Sequence, residues 1–452
     1  MLTKSLCLCL LALAVPHPAA PQTSPDMQRI LERLDKLEEE NHQLIVELHA
    51  LRSELTATKS PPPATNDADA TGEAPVGERL AVQESRTAEL EQTKVSASQR
   101  FPISLTGMLL FNAFENGRSS GGSEYPSTSS AVPAAATDGA TVRQTILGLR
   151  FNGPDLPGGG KASGSLYMDF FGGSSAPGGN LLRIRTAMLD LVWKNITVSV
   201  GQDKPIISPR DPASFAQVGI SPLTDAGNLW DWNPQVRIER RFSFAENTGL
   251  KAQAGVYETT ESYNAALPAD YASTLERSRP AYQGRLEFFH GNDRRRFEIA
   301  PGFSLGSTHV AGESVQSRIA SLDWLFRPMP LIEFSGEAFD GQDVGGLGAL
   351  PGFDVLPSGA VIPVHSHGEW GQIALFPASR LSVHIYAGEQ FNRPSDLAPY
   401  AIQRNFVYSG NLMYKLAPNV LAALEASQTR TEFLGSLLRL NNHYDLALAY
   451  LF

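Results

Sequence analysis

From Phe101 to the C-terminus the chain is built of short segments in which apolar and polar side chains alternate, broken by Gly, Pro, Asn and Asp. A period of two is that of an extended strand, whose successive side chains point to opposite faces. Ile196, Val198 and Val200 share one face, and Asn195, Thr197, Ser199 and Gly201 the other. Leu381, Val383, Ile385 and Ala387 stand against Ser382, His384, Tyr386 and Gly388; Ile332, Phe334, Gly336 and Ala338 oppose Glu333, Ser335 and Glu337. Strands are expected near 102–114, 142–152, 162–171, 181–193, 195–204, 234–245, 249–258, 281–290, 294–306, 316–326, 331–340, 368–376, 380–390, 402–415, 420–430 and 438–452. That is about sixteen, an even number within the range of closed membrane barrels. The expected fold is therefore all-β, a transmembrane antiparallel β-barrel spanning 101–452.

Connection lengths support the same reading, because such barrels place short turns at one end and long loops at the other. Every second connection is short: Lys194, Asn247, Asn292, Arg327 to Pro330, Pro377 to Ser379 and Ala417 to Asn419, with 153–161 somewhat longer. The intervening connections 115–141, 205–233, 259–280 and 341–367 are long, while 172–180 and 431–437 blur the contrast. The chain ends on Tyr444, Leu446, Leu448, Tyr450 and Phe452, all of one parity. They form a lipid-facing stripe closed by aromatics at the membrane interface, similar to the C-terminal signal that barrel-assembly machinery reads.

Ahead of the barrel the sequence has another texture. Residues 1–20 carry Lys4, an apolar run from Leu6 to Val15 and then small residues, the pattern of a signal peptide. Cys7 and Cys9 lie inside that run, so the remaining chain has no thiol for a disulfide or a metal. Within 21–58, Met27, Ile30, Leu34, Leu37, Asn41, Leu44, Leu48, Leu51 and Leu55 alternate steps of three and four, the core pattern of a coiled coil. Arg33 with Glu38 and Glu47 with Arg52 would pair across a parallel neighbour, and Asn41 in the core specifies register. Leu at both core positions leaves dimer and trimer open. Residues 59–100 read as a Pro- and Ala-rich linker with one short helical stretch, roughly 76–95.

The charge of -10 speaks against a nucleic-acid partner, which requires a basic face. Mean hydropathy is -0.16, and no apolar run after the N-terminus is long enough for a spanning helix. Gly158-Gly159-Gly160-Lys161 lacks the phosphate-loop spacing, and Ala162 replaces the magnesium-binding hydroxyl. His365 and His367 have no companions to complete a metal site. No cofactor, no metal and no catalytic set is expected.

The segments LLRIRTAMLDLVWKNITVSVGQDKP (181–205) and NPQVRIERRF (233–242), with the overall plan, resemble the trimeric DcaP-like porins and, more distantly, the phosphate-selective porins. That resemblance implies a homotrimer, a periplasmic stalk, an outer-membrane barrel and a pore narrowed by an infolded loop. The function expected is passive diffusion of small polar or anionic solutes. The alternative is a structural anchor whose stalk ties the outer membrane to the cell wall.

Ionisable residues opposite the apolar face should point into the water-filled lumen. On the basic side these are Arg150, Arg183, Arg185, Arg237, Arg241, Lys251 and Arg285. Asp169, Glu239, Glu287, Glu298, Asp323, Glu333, Glu337, Glu425 and Asp445 are their acidic counterparts. The bases come from the first half of the barrel and most of the acids from the second, so a field is expected across the pore. Segment 205–233 would fold inward, bringing Asp211, Asp225 and Asp231 to face the arginines. Arg240 falls on the lipid parity, which a bulge or a subunit contact would resolve.

Overall fold

The computed structural model describes residues 103–173, 180–261, 267–435 and 438–452. The signal peptide, the coiled coil and the linker lie outside the described residues. Among the described residues no helix is long and apolar enough to cross a membrane.

The strands are β1 (Ile103–Asn116), β2 (Thr137–Thr141), β3 (Ile146–Leu156), β4 (Gly160–Gly172), β5 (Leu181–Val192), β6 (Ile196–Asp203), β7 (Asn233–Ala245), β8 (Thr248–Thr260), β9 (Ser278–Asn292) and β10 (Arg295–Val310). They continue with β11 (Glu313–Met329), β12 (Ile332–Gln342), β13 (Phe353–Val355), β14 (Val361–Pro363), β15 (His365–Ala378), β16 (Leu381–Asn392), β17 (Ile402–Ala417), β18 (Val420–Phe433) and β19 (Leu438–Leu451). Each neighbouring pair is antiparallel, and β19 pairs with β1, so the sheet closes. β2 and β3 both pair with β1 and form one interrupted stave, which makes a barrel of sixteen. Closure leaves no sheet edge with unpaired backbone groups.

All sixteen expected segments are present, and three details depart from expectation. The connection between β10 and β11 is only Ala311 and Gly312, because both strands run on past the membrane-length pattern as a hairpin. β13 and β14 form a small separate hairpin inside the long connection 343–364. The second stave breaks at 142–145, where Arg143 and Gln144 are buried and bonded to loops, and the buried Thr145 hydroxyl bonds the Leu110 backbone of β1.

The outer surface is apolar. Phe288, Phe297, Phe326 and Phe334, on four successive strands, touch ring to ring near the short-turn end, with centroids 6.2, 6.1 and 6.3 Å apart. Such a row suits the membrane interface, where an aromatic presents an apolar body to lipid and its edge to headgroups. Tyr444, Leu446, Leu448 and Tyr450 are exposed on this surface. Phe452 closes the last strand: its N–H donates to the Gly107 carbonyl, its own carbonyl accepts from the Gly107 N–H, and its ring lies over Gly107. A Cβ at Gly107 would meet that ring at 2.9 Å. Arg240 also faces outward, with its guanidinium 5.1 Å from the Phe242 ring. The β7–β8 register is regular through Arg240 and shifts only between Ser243 and Ala245, so a bulge at 239–241 is ruled out.

Candidate functional site: an infolded loop and the charged lumen

The connection 204–232 folds into the barrel. It carries apolar residues that need cover, and three apolar patches on the inner wall supply it. Ile207 and Leu229 pack with Tyr257, Ile319 and Phe339; Ala213, Phe215 and Val218 lie against Leu110, Met413 and Ala447; Leu223 and Ala226 meet Trp370, Tyr386 and Val407. Gly388 admits this approach, since a Cβ there would strike the Ala226 carbonyl.

A loop buried in this way must have its backbone polar groups satisfied. Wall side chains do that at many points around the lumen. Gln283 accepts from the Ile206 N–H at 2.7 Å, and Gln372 from the Ala213 N–H at 2.7 Å. Asn411 donates to the Ala213 carbonyl and Asn112 to that of Phe215, both at 2.8 Å. Gln144 is used completely: its Oε1 accepts from Val218 and Gly219 at 2.6 and 2.7 Å, and its Nε2 donates to Ala216 and Asn112. The break in the second stave thus places the side chain that holds the loop. Sequence periodicity gave no signal for Gln144 beyond a polar residue at a strand start.

On the β8–β11 wall the ions form one continuous set. The loop's Arg210 bonds Glu298 and Asp323. Asp323 also takes both Arg285 Nε and Nη2, at 2.7 and 2.8 Å, in a bidentate pair. Arg285 then meets Glu287 at 2.7 Å, Glu287 meets Lys251 at 3.1 Å, and Arg296 pairs with Glu298. Below this set, toward the short turns, lies a cavity of about 480 Å³, whose lining includes Glu239, Arg241, Lys251, Glu287 and Arg296. Arg241 stacks over Phe289 at 4.1 Å.

The β4–β6 wall is built differently. A register shift in the β4–β5 pairing at Arg185 puts Arg183 and Arg185 on one carboxylate, Asp169, at 2.7 and 3.0 Å. They also donate to the carbonyls of Gly219 and Val218. Both guanidiniums lie against Trp232, at 5.1 and 4.6 Å from its ring, and Arg183 against Phe171 at 5.3 Å. Arg237 pairs with Asp203 at 2.8 Å. Arg150 is exposed and donates to the Tyr167 hydroxyl at 2.8 Å.

The three loop carboxylates do not share one place. Asp211 pairs with Lys204. Asp231 accepts from the Trp232 N–H at 2.8 Å; burial raises its pKa above the usual carboxylate value, while that hydrogen bond and the nearby Arg183 pull the other way. Asp225 departs from the expected position: it is buried beside Ser127 and β17, and burial without a countercharge pushes it up to about 7. The acids of the later strands are not a free opposing wall either. Glu298 and Asp323 are neutralised by Arg210 and Arg285, Glu333 lies 3.8 Å from Arg327, and Asp445 accepts from Asn112. Glu337 and Glu425 accept from Ser208 and Ser214 of the loop.

The barrel is similar in fold to solved structures. The outer-membrane channel DcaP of Acinetobacter baumannii superposes with a TM-score of 0.63 at 16% identity, covering 77% of this chain and 97% of that one. The fold is that of outer-membrane porins. An anion-selective porin from Comamonas acidovorans gives a TM-score of 0.53 at 13% identity, over 77% of this chain and 99% of that one. No protein-family model and no curated protein matches the chain. The expected likeness to DcaP-like porins therefore holds at the level of the fold, over the barrel. Among the described residues no group of three or more His, Cys, Asp or Glu can hold a metal ion.

Proposed function

We propose that the protein is a passive porin of the bacterial outer membrane, carrying small polar or anionic solutes through a water-filled pore. The observation that supports this best is the loop 204–232, held inside a closed barrel of sixteen staves by wall side chains on many strands. A barrel serving only as an anchor for a stalk needs neither the width nor a loop so fastened. The partly exposed Arg183 and Arg237, with Arg150 and Arg241, would attract anions, and guanidinium forks suit carboxylate or phosphate. One solved structure of similar fold is an anion-selective porin.

The rest of the reading follows the sequence. Residues 1–20 direct export, 21–58 form a periplasmic coiled coil through Ile30, Leu34, Leu37, Asn41, Leu44, Leu48, Leu51 and Leu55, and 59–100 link it to the barrel. The assembly is a homotrimer, inserted by barrel-assembly machinery that reads the terminal aromatic stripe. The test is conductance of the purified protein in a planar bilayer. Stepwise openings with a salt-dependent anion preference are expected; a protein that inserts without raising conductance overturns the reading.

A further inference from the structure

At the long-loop end, away from the arginines of β5 and β7, lies a second cavity, partly open to solvent. It has a volume of about 410 Å³ and sits where segments 127–131, 350–354 and 400–402 meet Asp225 of the infolded loop and Phe433. That volume is within the range of small-molecule sites. Its chemistry is one-sided. Two carboxylates, Asp225 and Asp354, line it together with serine hydroxyls and the aromatic side chains Tyr400 and Phe433, and no Lys, Arg or His is among the described lining residues. Arg439 donates to the Ala131 carbonyl but is not part of the lining.

The site is built rather than incidental. Ser129 is fully buried; its N–H donates to Thr431 and its hydroxyl to the Thr429 carbonyl, which fixes the serine segment against β18. Asn405 donates to the carbonyls of both Ser127 and Asp225, each at 3.0 Å. Asp225 is only 5% exposed; its Oδ2 accepts from Ser127 at 2.9 Å, while its Oδ1 has no hydrogen-bond partner. A buried carboxylate oxygen left unpaired is costly unless a donor reaches it. Asp225 and Tyr400 also both hold left-handed backbone, at φ 60° and 68°, which non-glycine residues adopt at a cost that clusters at ligand sites.

We propose that this cavity binds a small organic ammonium ion, its N–H groups on the Asp225 carboxylate and its apolar part against Tyr400 and Phe433. An ammonium supplies both what Asp225 lacks, a donor and a positive charge, and aromatic faces hold such cations through the ring quadrupole. A neutral alcohol of the same shape would supply only the donor. Because burial lifts Asp225 to about 7, protons compete with the ligand, so affinity should weaken as pH falls below that value.

The test is calorimetric titration of the full-length, detergent-purified protein with benzylammonium and, in parallel, benzyl alcohol. Benzylammonium should bind with one site per chain at pH 8, at least about tenfold more tightly than the alcohol, and lose affinity toward pH 5. Asp225→Asn should reduce that affinity by about tenfold or more, and Tyr400→Ala, at an exposed position, by less. Equal binding of amine and alcohol, affinity unchanged in Asp225→Asn, or no binding by wild-type protein would each overturn the proposal. Should Asp225→Asn fail to fold, the amine-to-alcohol ratio and the pH dependence of wild-type protein decide it. Conductance plays no part in these outcomes, so they stand or fall apart from the porin reading.

Discussion

The two charged walls of the lumen carry similar residues in opposite circumstances. On the β8–β11 wall, Arg285 has a side chain 1% exposed and shares Asp323, itself 1% exposed, with Arg210 of the loop. On the β4–β6 wall, Arg183 is 27% exposed, and one carboxylate, Asp169, serves both it and Arg185. Both walls fasten the loop, the second through the Gly219 and Val218 carbonyls; but the first pairs its charges out of reach of water, while the second keeps positive charge in excess and partly within reach of it. A lumen-facing charge is therefore not in itself a selectivity determinant. What decides is how many opposite charges touch it and how much solvent remains, since buried pairs cancel locally while half-exposed ones project a field.

The largest expected effect comes from breaking the buried wall. Arg285→Met leaves Asp323 and Glu287 each short of a partner and should destabilise the folded barrel by about 3–5 kcal/mol, whereas Arg183→Met should cost about 1 kcal/mol or less. Urea unfolding in lipid vesicles, read by Trp fluorescence, checks this; equal losses would erase the distinction between the walls.

Selectivity should respond in the reverse order. Replacing Arg183, Arg185, Arg237 and Arg241 together by Gln should move the reversal potential in a salt gradient toward cations. Arg285→Gln, where it folds, should leave that potential close to wild type. If the quadruple variant keeps its ion preference, these arginines of β5 and β7 are also scaffolding.

A smaller effect should come from Asp231, whose pKa burial raises above the ordinary carboxylate value of about 3.9. As pH falls through that raised value, the carboxylate near Arg183 is neutralised and anion preference should increase. Above it the preference should be flat. Asp231→Asn should hold the low-pH preference at all pH values, and a titration of reversal potential that is the same in both proteins would sink the assignment.

The smallest expected change is the effect of salt. Raising ionic strength from 0.1 to 1 M shortens screening from about 10 to about 3 Å. Anion preference should fade across that range, while the unfolding midpoint of wild-type protein, set largely by the buried wall, should move little.

Particular residues show how far the sequence reaches. The stripe Tyr444 to Phe452 and the alternations around Ile196 and Leu381 follow from a repeat of two, which depends on nothing but local geometry, so every stave was legible. The parity of Arg183 and Arg285 was equally legible, because a strand has only two faces. Their different fates were not. Asp323 reaches Arg285 from β11, across the intervening β10, and Arg210 reaches Asp323 across 113 residues of chain. The same holds for Gln144, which a break in a stave turns onto a loop more than seventy residues away, and for Asp225, which reads as a lip of the constriction but is buried against β17. The sequence by itself determined that a barrel forms and which side chains enter it, because the hydrophobic pattern acts residue by residue along a strand. Only the tertiary structure decided which of those charges meet one another and which meet water, because pairing and desolvation depend on distances between segments remote in the chain.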